Sequence, residues 1–169
     1  MTATTPRQRV WQAIRHVQPD RVPYHLSFTA PARQKLAAHL GTDDLDAALG
    51  NHLAPYSARL PFEEIRPGFW RDEFGVVWNR TVDKDIGVVH EYQLRDRSLA
   101  DYRFPDPRNP RRYEALPGFL AANPDRFRCA NIGFSLFERA WTLRGMTDLM
   151  VDMIEAPEFV DELLDAIVR

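Results

Sequence analysis

The chain has 169 residues, of which 44% are hydrophobic and 27% charged, a composition typical of a globular domain with a sizeable core. Its net charge of −2 comes without a basic block or an acidic tail, which disfavours nucleic acid and anionic membranes as partners. The lack of a long apolar run or a signal-like leader, together with the single cysteine, Cys129, predicts a cytoplasmic protein without disulfides.

The first element is predicted to be a helix that begins at Pro6. Thr5 is a favourable N-cap, proline suits the first helical position, and Gln8 stands three residues after Thr5, which completes a capping box. Apolar side chains then recur at helical spacing and form the predicted buried face: Val10, Trp11, Ile14 and Val17.

A strand is predicted over residues 21–28, within and after a turn bracketed by two prolines. Its alternation places the polar side chains of His25 and Ser27 on one face and larger apolar side chains on the other. Two helices are predicted to follow, over residues 31–40 and 42–49, with a glycine between them as a helix stop.

The pattern changes between residues 51 and 104. Residues 74–78 and 86–92 are predicted strands, and the polar residues between them favour a hairpin with a longer loop. A stiff connector with three prolines, over residues 105–110, then indicates a bend within one domain and not a domain boundary.

The last third combines one buried strand with several helices. A helix is predicted over residues 112–122, a strand over 127–132, a helix over 136–144 and a final helix from Pro157. Before Pro157, another helix is predicted to bury Met150, Met153 and Ile154, with Leu149 beside them. Two strand–helix units predict an α/β fold but do not close a parallel sheet, so we expect a truncated chain.

Two stretches carry a resemblance to a known family. They are residues 5–23, TPRQRVWQAIRHVQPDRVP, and residues 133–145, GFSLFERAWTLRG, followed by Leu149 to Ile154 and by PEFV from Pro157. They resemble the uroporphyrinogen decarboxylase superfamily, and within it the branch around corrinoid-dependent methyltransferases. The resemblance implies a (β/α)8 barrel, of which residues 1–169 are the N-terminal portion of a single domain, incomplete and inactive by itself.

The resemblance also separates two chemistries. True decarboxylases use no cofactor and hold their substrate's carboxylates with arginines just after the first barrel strand. Here those positions fall on Phe28 and Ala32, with only Arg33 nearby, and a tyrosine used near their substrate falls on Trp141. These departures argue against porphyrinogen decarboxylation in tetrapyrrole (heme) biosynthesis, which stays as the alternative activity.

The methyltransferase branch uses zinc to turn a thiol acceptor into a thiolate that takes the methyl group from a methyl-corrinoid. Its ligands are a His-x-Cys pair and a further cysteine in the C-terminal half, and this chain contains no His-x-Cys. We therefore expect no metal or cofactor on this segment, and zinc and corrinoid only in a full-length enzyme. The implied partners are a small-molecule substrate, a corrinoid protein and, in a homodimer, a second copy. A non-catalytic half-barrel that completes its fold against another chain is the second alternative.

Barrel active sites lie at the carboxyl ends of the strands and in the loops that follow. By this rule His25 is a candidate general base or substrate contact, with a hydrogen-bonded structural histidine as the alternative. Glu138 and its neighbour Arg139 can alternatively be interpreted as ordinary charges on a helix surface. Trp141 can alternatively be interpreted as a core residue. The substrate-binding candidates are Ser27, Asn131, Glu138 and Trp141.

Asp72 is the second catalytic candidate. The segment Asp72-Glu73-Phe74-Gly75 resembles the family's Asp-x-Trp/Phe-Gly segment, in which the acid faces the barrel mouth. In decarboxylases a carboxylate there stabilises a protonated pyrrole. The alternative is a turn aspartate that accepts hydrogen bonds from its own backbone.

Overall fold

The structure is a computed structural model that describes residues 4–169, and its fold is mixed α/β. In chain order the elements are α1 (Pro6–Ile14), α2 (Ala30–Leu40), α3 (Leu45–Leu49), β1 (Leu53–Tyr56), β2 (Glu63–Arg66), β3 (Phe69–Arg71), β4 (Val77–Asn79), β5 (Val88–Glu91), a 3-10 turn (Pro110–Arg112), α4 (Leu116–Ala122), β6 (Phe127–Ala130), α5 (Leu136–Arg144), α6 (Met146–Glu155) and α7 (Pro157–Val168). No helix in this part of the chain is long and apolar enough to cross a membrane.

The chain divides into two compact units. Unit 1 comprises the stretch up to Ala58 together with Tyr113–Asn131, and unit 2 comprises Arg59–Arg112 together with Ile132–Arg169. Each unit therefore contains segments from both halves of the sequence, whereas the sequence predicts one continuous barrel portion.

Helix α1 of unit 1 begins as predicted. The Thr5 amide donates to Gln8 Oε1 at 2.8 Å, and the Gln8 amide donates to Thr5 Oγ1 at 3.2 Å, so the capping box is formed. Its buried face is narrower than predicted, because only Val10 is buried while Ile14 and Val17 are more than half exposed.

The prediction of a regular strand over residues 21–28 is wrong. This segment is not a strand in the structure, although it is held beside the start of β1. The Tyr24 carbonyl accepts from the His52 amide at 3.0 Å. The Asn51 side chain occupies both backbone groups of Leu26, accepting from its amide at 2.9 Å and donating to its carbonyl at 3.0 Å. A side chain thus takes the place of a neighbouring strand.

Strands β1 and β6 of unit 1 pair in parallel, with Leu53 opposite Phe127 and Tyr56 opposite Ala130. The strand predicted at 127–132 is confirmed as β6, whereas β1 contains a proline and was not predicted. Trp11 of α1 contacts Phe127 at 5.4 Å between ring centroids, and Phe119 of α4 contacts Tyr56 at 5.1 Å. Because the register places Phe127 and Tyr56 on opposite faces, helices cover both faces, as is typical of parallel sheets.

Unit 2 contains an antiparallel sheet in the order β2-β3-β4-β5. The predicted hairpin is confirmed as β4–β5, with Trp78 opposite Val89. Strands β2 and β3 were not predicted. The sheet and its following loop share one apolar cluster with α5, α6 and α7, whose buried members are Val76, Trp78, Leu94, Ala140, Leu143, Leu149, Phe159, Val160 and Leu163.

Helix α6 turns a different face inward from the one predicted. Met150, Met153 and Ile154 are exposed, and the buried residues are Leu149 and Asp152. The reason is electrostatic. Asp152 accepts hydrogen bonds from Arg144 Nε and Arg97 Nε, each at 2.7 Å, and these two guanidinium groups fix the side of the helix that faces the unit.

Candidate functional site

The six predicted site residues are divided between the two units. His25, Ser27 and Asn131 belong to unit 1, and Asp72, Glu138 and Trp141 belong to unit 2.

In unit 1 the three candidates differ in accessibility. His25 is half-buried, and its Nδ1 has no hydrogen-bond partner among the described residues, while Ser27 is exposed. Asn131 is exposed directly after β6, and its amide donates to the Tyr56 carbonyl at 2.8 Å, which extends the parallel ladder by one step. No hydrogen bond among the described residues joins these three side chains into one constellation.

A second histidine of unit 1, His52, is almost completely buried, with 2% of its surface exposed. Its Nδ1 accepts from the Tyr24 amide at 3.4 Å, its ring packs edge-on against the Tyr24 ring, and its Nε2 has no partner among the described residues. Burial lowers the pKa of His52, and the nearby charges of Arg9 and Arg21 act in the same direction. Apart from the histidine itself, nothing in the sequence indicates that this side chain is buried.

Asp72 is the centre of a buried polar network in unit 2. Its Oδ1 accepts from the amides of Phe74 at 2.9 Å and Val76 at 3.0 Å. Its Oδ2 accepts from Trp78 Nε1 at 3.2 Å and from Arg139 Nη1 at 2.9 Å. The contacts with the backbone are those of the turn alternative, and four donors satisfy the carboxylate, so a catalytic role for Asp72 would require this network to open.

Arg139, the partner of Asp72, was expected to be a surface charge, and that interpretation is wrong. It is only 5% exposed, and its guanidinium lies 3.8 Å from the centroid of the Phe74 ring. Glu138, beside it, is exposed as the surface alternative predicts. The missed signal is the helical spacing of Arg139 and the buried Leu143, four residues later on one face.

Tyr102 also contacts the turn that holds Asp72. Its hydroxyl donates to the Phe74 carbonyl at 2.8 Å. Burial raises the pKa of Tyr102 well above its ordinary value of 10, and the charge of Asp72 adds to the shift. The phenol therefore remains a protonated donor throughout the physiological range.

Trp141 is half-buried against the apolar cluster, with its ring 6.4 Å from that of Phe134, as its core alternative predicts. The backbone at the start of α5 is strained, because Phe134, two residues before the helix, and Leu136, its first residue, have φ values of 51° and 41°, which non-glycine residues rarely adopt.

Two further sets of ion pairs join separate segments of unit 2. Arg144 is buried and, besides Asp152, donates to the carbonyls of Leu94 and Arg95, which ties the segment after β5 to α5 and α6. Arg112 pairs with the carboxylate of Glu73. These contacts hold segments of unit 2 together.

The residues that the structure describes contain no group of three or more His, Cys, Asp or Glu side chains arranged to hold a metal. Cys129 is half-buried in β6, with its Sγ 3.9 Å from the Ala54 carbonyl oxygen. A scan against protein-family models found no match, and searches of the curated proteins and of the solved structures found none either.

Proposed function

We propose that this chain is the N-terminal part of an enzyme of the uroporphyrinogen decarboxylase superfamily that transfers a methyl group from a methyl-corrinoid to a small-molecule acceptor. The proposal starts from the resemblance of residues 5–23 and 133–145. The parallel pairing of β1 and β6, with helices on both faces, supports it, because parallel strands alternating with helices are the unit from which (β/α)8 barrels are built.

The placement of arginines is the observation that carries the choice between the two activities. The positions at which the decarboxylases hold carboxylates are Phe28 and Ala32. The nearby Arg33 donates through Nη2 to the Asp43 carbonyl at 3.1 Å. A polycarboxylate substrate is held by several bidentate guanidinium contacts, and the segment after residue 28 has one arginine, at neither of the two positions that the decarboxylases use. Porphyrinogen decarboxylation is therefore the less favoured alternative.

In this proposal the chain's own residues bind and orient the substrate. His25 and Ser27 lie on the segment before α2, and Asn131 follows the carboxyl end of β6 with its side chain exposed. Zinc, when bound elsewhere in the enzyme, would supply a thiolate nucleophile from the acceptor thiol. His25, whose Nδ1 has no hydrogen-bond partner among the described residues, is the candidate that would accept the thiol proton.

The test uses the enzyme produced from the complete gene. We expect the gene to encode a His-x-Cys and a later cysteine. We expect the enzyme to bind zinc and to convert methylcobalamin to cob(I)alamin when a thiol acceptor is present. Uroporphyrinogen should not be decarboxylated. Conversion of uroporphyrinogen to coproporphyrinogen, without methyl transfer to any thiol, would show that the alternative activity is the correct one.

Two variants sharpen the test. Ser27→Ala should lower kcat/KM for methyl transfer, because the hydroxyl is proposed to contact the substrate. Ser98→Ala, a matched change at an exposed serine of unit 2 whose Oγ accepts from the Ala100 amide and which the proposal does not use, should leave it unchanged. Equal activities of both variants and the parent would remove Ser27 from the site.

A further inference from the structure

The segment at residues 21–28 carries two side chains of the proposed site, His25 and Ser27, although it is not a strand of a sheet. A strand is held along its length by backbone hydrogen bonds to its neighbours, and this segment depends on other contacts for the same purpose. The positions of both side chains therefore depend on what holds the backbone of Leu26, which lies between them.

The turn from Leu49 to His52 holds the segment at Tyr24. The Tyr24 hydroxyl donates to the Leu49 carbonyl at 2.6 Å, and the His52 amide donates to the Tyr24 carbonyl at 3.0 Å. Gly50 has a φ of 66°, and a Cβ there would lie 3.1 Å from the Tyr24 hydroxyl oxygen, so glycine suits both the turn and this close approach. These contacts fix the segment just before the part that carries the two site residues.

Asn51, in the same turn, holds that next part. Its Oδ1 accepts from the Leu26 amide at 2.9 Å, and its Nδ2 donates to the Leu26 carbonyl at 3.0 Å. The carboxamide thus offers one acceptor and one donor to a single residue, as a neighbouring strand would. Nδ2 also donates to Asp46 Oδ1 at 2.6 Å, and Asn51 is only 1% exposed, so its orientation is fixed from both sides.

We propose that Asn51 is a positioning residue of the proposed site, because it fixes the backbone of Leu26. The side chains on either side of Leu26 are His25 and Ser27, so a shift of this backbone moves both. A misplacement of about 1 Å at a substrate contact can lower a rate about 100-fold. Since Asn51 is buried, it acts through this backbone and not by contact with the substrate. The inference rests on the proposed function, in which those two side chains bind and orient the substrate.

The first experiment is hydrogen exchange, which does not depend on the reaction, on the enzyme produced from the complete gene. In Asn51→Ala the Leu26 amide should exchange at least about tenfold faster relative to the amides of β1, the loss expected for two hydrogen bonds. Asn123→Ala is the matched control, because its Nδ2 donates to the Phe119 carbonyl at 2.9 Å in the same unit. It should leave the Leu26 amide unchanged.

A second pair of variants serves where Asn51→Ala does not fold. Asn51→Asp keeps an acceptor for the Leu26 amide, but it removes both donated hydrogen bonds and places two carboxylates together at positions 46 and 51. Adding Asp46→Asn restores a donor and an acceptor between those positions. The Leu26 amide should therefore exchange faster in Asn51→Asp than in the double variant, and circular dichroism spectra would establish that each variant is folded.

The second experiment separates positioning from stability. Asn51→Ala should lower kcat/KM for methyl transfer roughly 10- to 100-fold, and Asn123→Ala should not. Ser27→Ala should then lower kcat/KM by a clearly smaller factor in the Asn51→Ala background than in the parent, because the role of Asn51 is exerted through the site side chains. A residue that only stabilises the fold would give equal factors in both backgrounds. If Ser27→Ala has no effect in the parent, His25→Gln takes its place in the cycle.

Equal factors in the two backgrounds, or unchanged exchange at Leu26 in the folded Asn51 variants, would overturn the positioning role and leave the proposed function in place. Absence of methyl transfer in the parent would instead overturn the proposed function. The exchange rates alone would then decide whether Asn51 holds the segment.

Discussion

The carboxylate of Asp72 joins the turn before β4 to helix α5, and the energetic weight of this contact can be measured with one substitution. Asp72→Asn keeps the shape of the side chain and an oxygen for the turn amides, but it leaves the guanidinium of Arg139 buried without a counter-ion. Breaking a buried ion pair in this way costs about 3–5 kcal/mol, so we expect a loss of that size in urea unfolding.

Asp148→Asn is the control for this measurement. The Asp148 side chain is 62% exposed and lies 3.9 Å from Arg144, so its loss should cost less than about 1 kcal/mol. The double variant Asp72→Asn/Arg139→Met should be less destabilised than Asp72→Asn alone, because the unpaired charge is then removed. If Asp72→Asn unfolds like the parent, the network does not stabilise unit 2.

His52 predicts a dependence of stability on pH. Burial lowers the pKa of His52 below its ordinary value of 6.5, so the unfolded chain binds a proton that the folded chain does not. The part of the free energy of unfolding that comes from this difference in proton binding is fully present above about pH 6.5, and it is lost as the pH falls through the folded-state pKa of His52. Protonation would also remove the acceptor that Nδ1 offers to the Tyr24 amide.

This dependence can be isolated by comparing urea unfolding of the parent and of His52→Gln at about pH 7.5 and about pH 5.5, on either side of the ordinary histidine pKa. The parent should lose more stability on acidification than His52→Gln, since all carboxylates titrate in both. His39→Gln, an exposed histidine on α2, should behave like the parent. An identical pH dependence for His52→Gln and the parent would contradict the burial argument.

At the residue scale, the sequence indicates which side chains carry chemistry but not which of them meet. Asp72 was selected from its motif, and the turn alternative named the backbone contacts that the structure shows. Its bond with Arg139 spans 67 residues, and the local pattern of α5 indicates only that Arg139 shares a helix face with Leu143, not which residue it contacts. The burial of Asp152 was missed for the same reason, because its two arginine partners come from different segments.

Two of the helices begin with similar local sequences, and this provides a matched test of capping. Thr5 and Thr29 are both N-caps with a proline in the first turn of the helix, but only Thr5 makes a side-chain cap hydrogen bond. Thr5→Ala should therefore lower the free energy of unfolding by about 0.5–2 kcal/mol, whereas Thr29→Ala should cost much less. Hydrogen exchange in α1 and α2 would locate each effect, and equal losses would show that the capping box does not stabilise α1.

Elements were predictable where local chemistry specifies both ends. Helix α1 has its capping box, α5 ends at Gly145, α7 starts at Pro157, and the β4–β5 hairpin shows in its apolar runs. The segment at 21–28 has the alternation of a strand, yet Asn51 supplies hydrogen bonds that a neighbouring strand would otherwise provide. Strand formation depends on a partner, and that partner is not encoded within the segment itself.

At the scale of the whole molecule, the sequence predicts mixed α/β structure, and this is confirmed, whereas the division into two units was not predicted. The reason is that the chain leaves unit 1 after Ala58, returns at Tyr113 and leaves again after Asn131. Such an exchange of segments depends on contacts between residues far apart in sequence. The proline-rich connector at 105–110 was interpreted as a bend, and it lies just before the return to unit 1.

The shared apolar cluster of unit 2 predicts that its sheet and its three C-terminal helices lose protection together. Leu163 of α7 is fully buried in that cluster with Trp78 of β4 and Leu143 of α5. Leu163→Ala should lower the free energy of unfolding by about 2–5 kcal/mol through lost burial and a residual cavity. Because one cluster joins the elements, amides of β4, α5 and α7 should all exchange faster in the variant, in proportion to the loss of stability.

Leu136→Ala, which truncates a leucine that is 48% exposed at the start of α5, is the control and should change exchange only locally. Faster exchange confined to α7 in the Leu163→Ala variant would show that this helix opens independently, and that the cluster does not make unit 2 a cooperative whole.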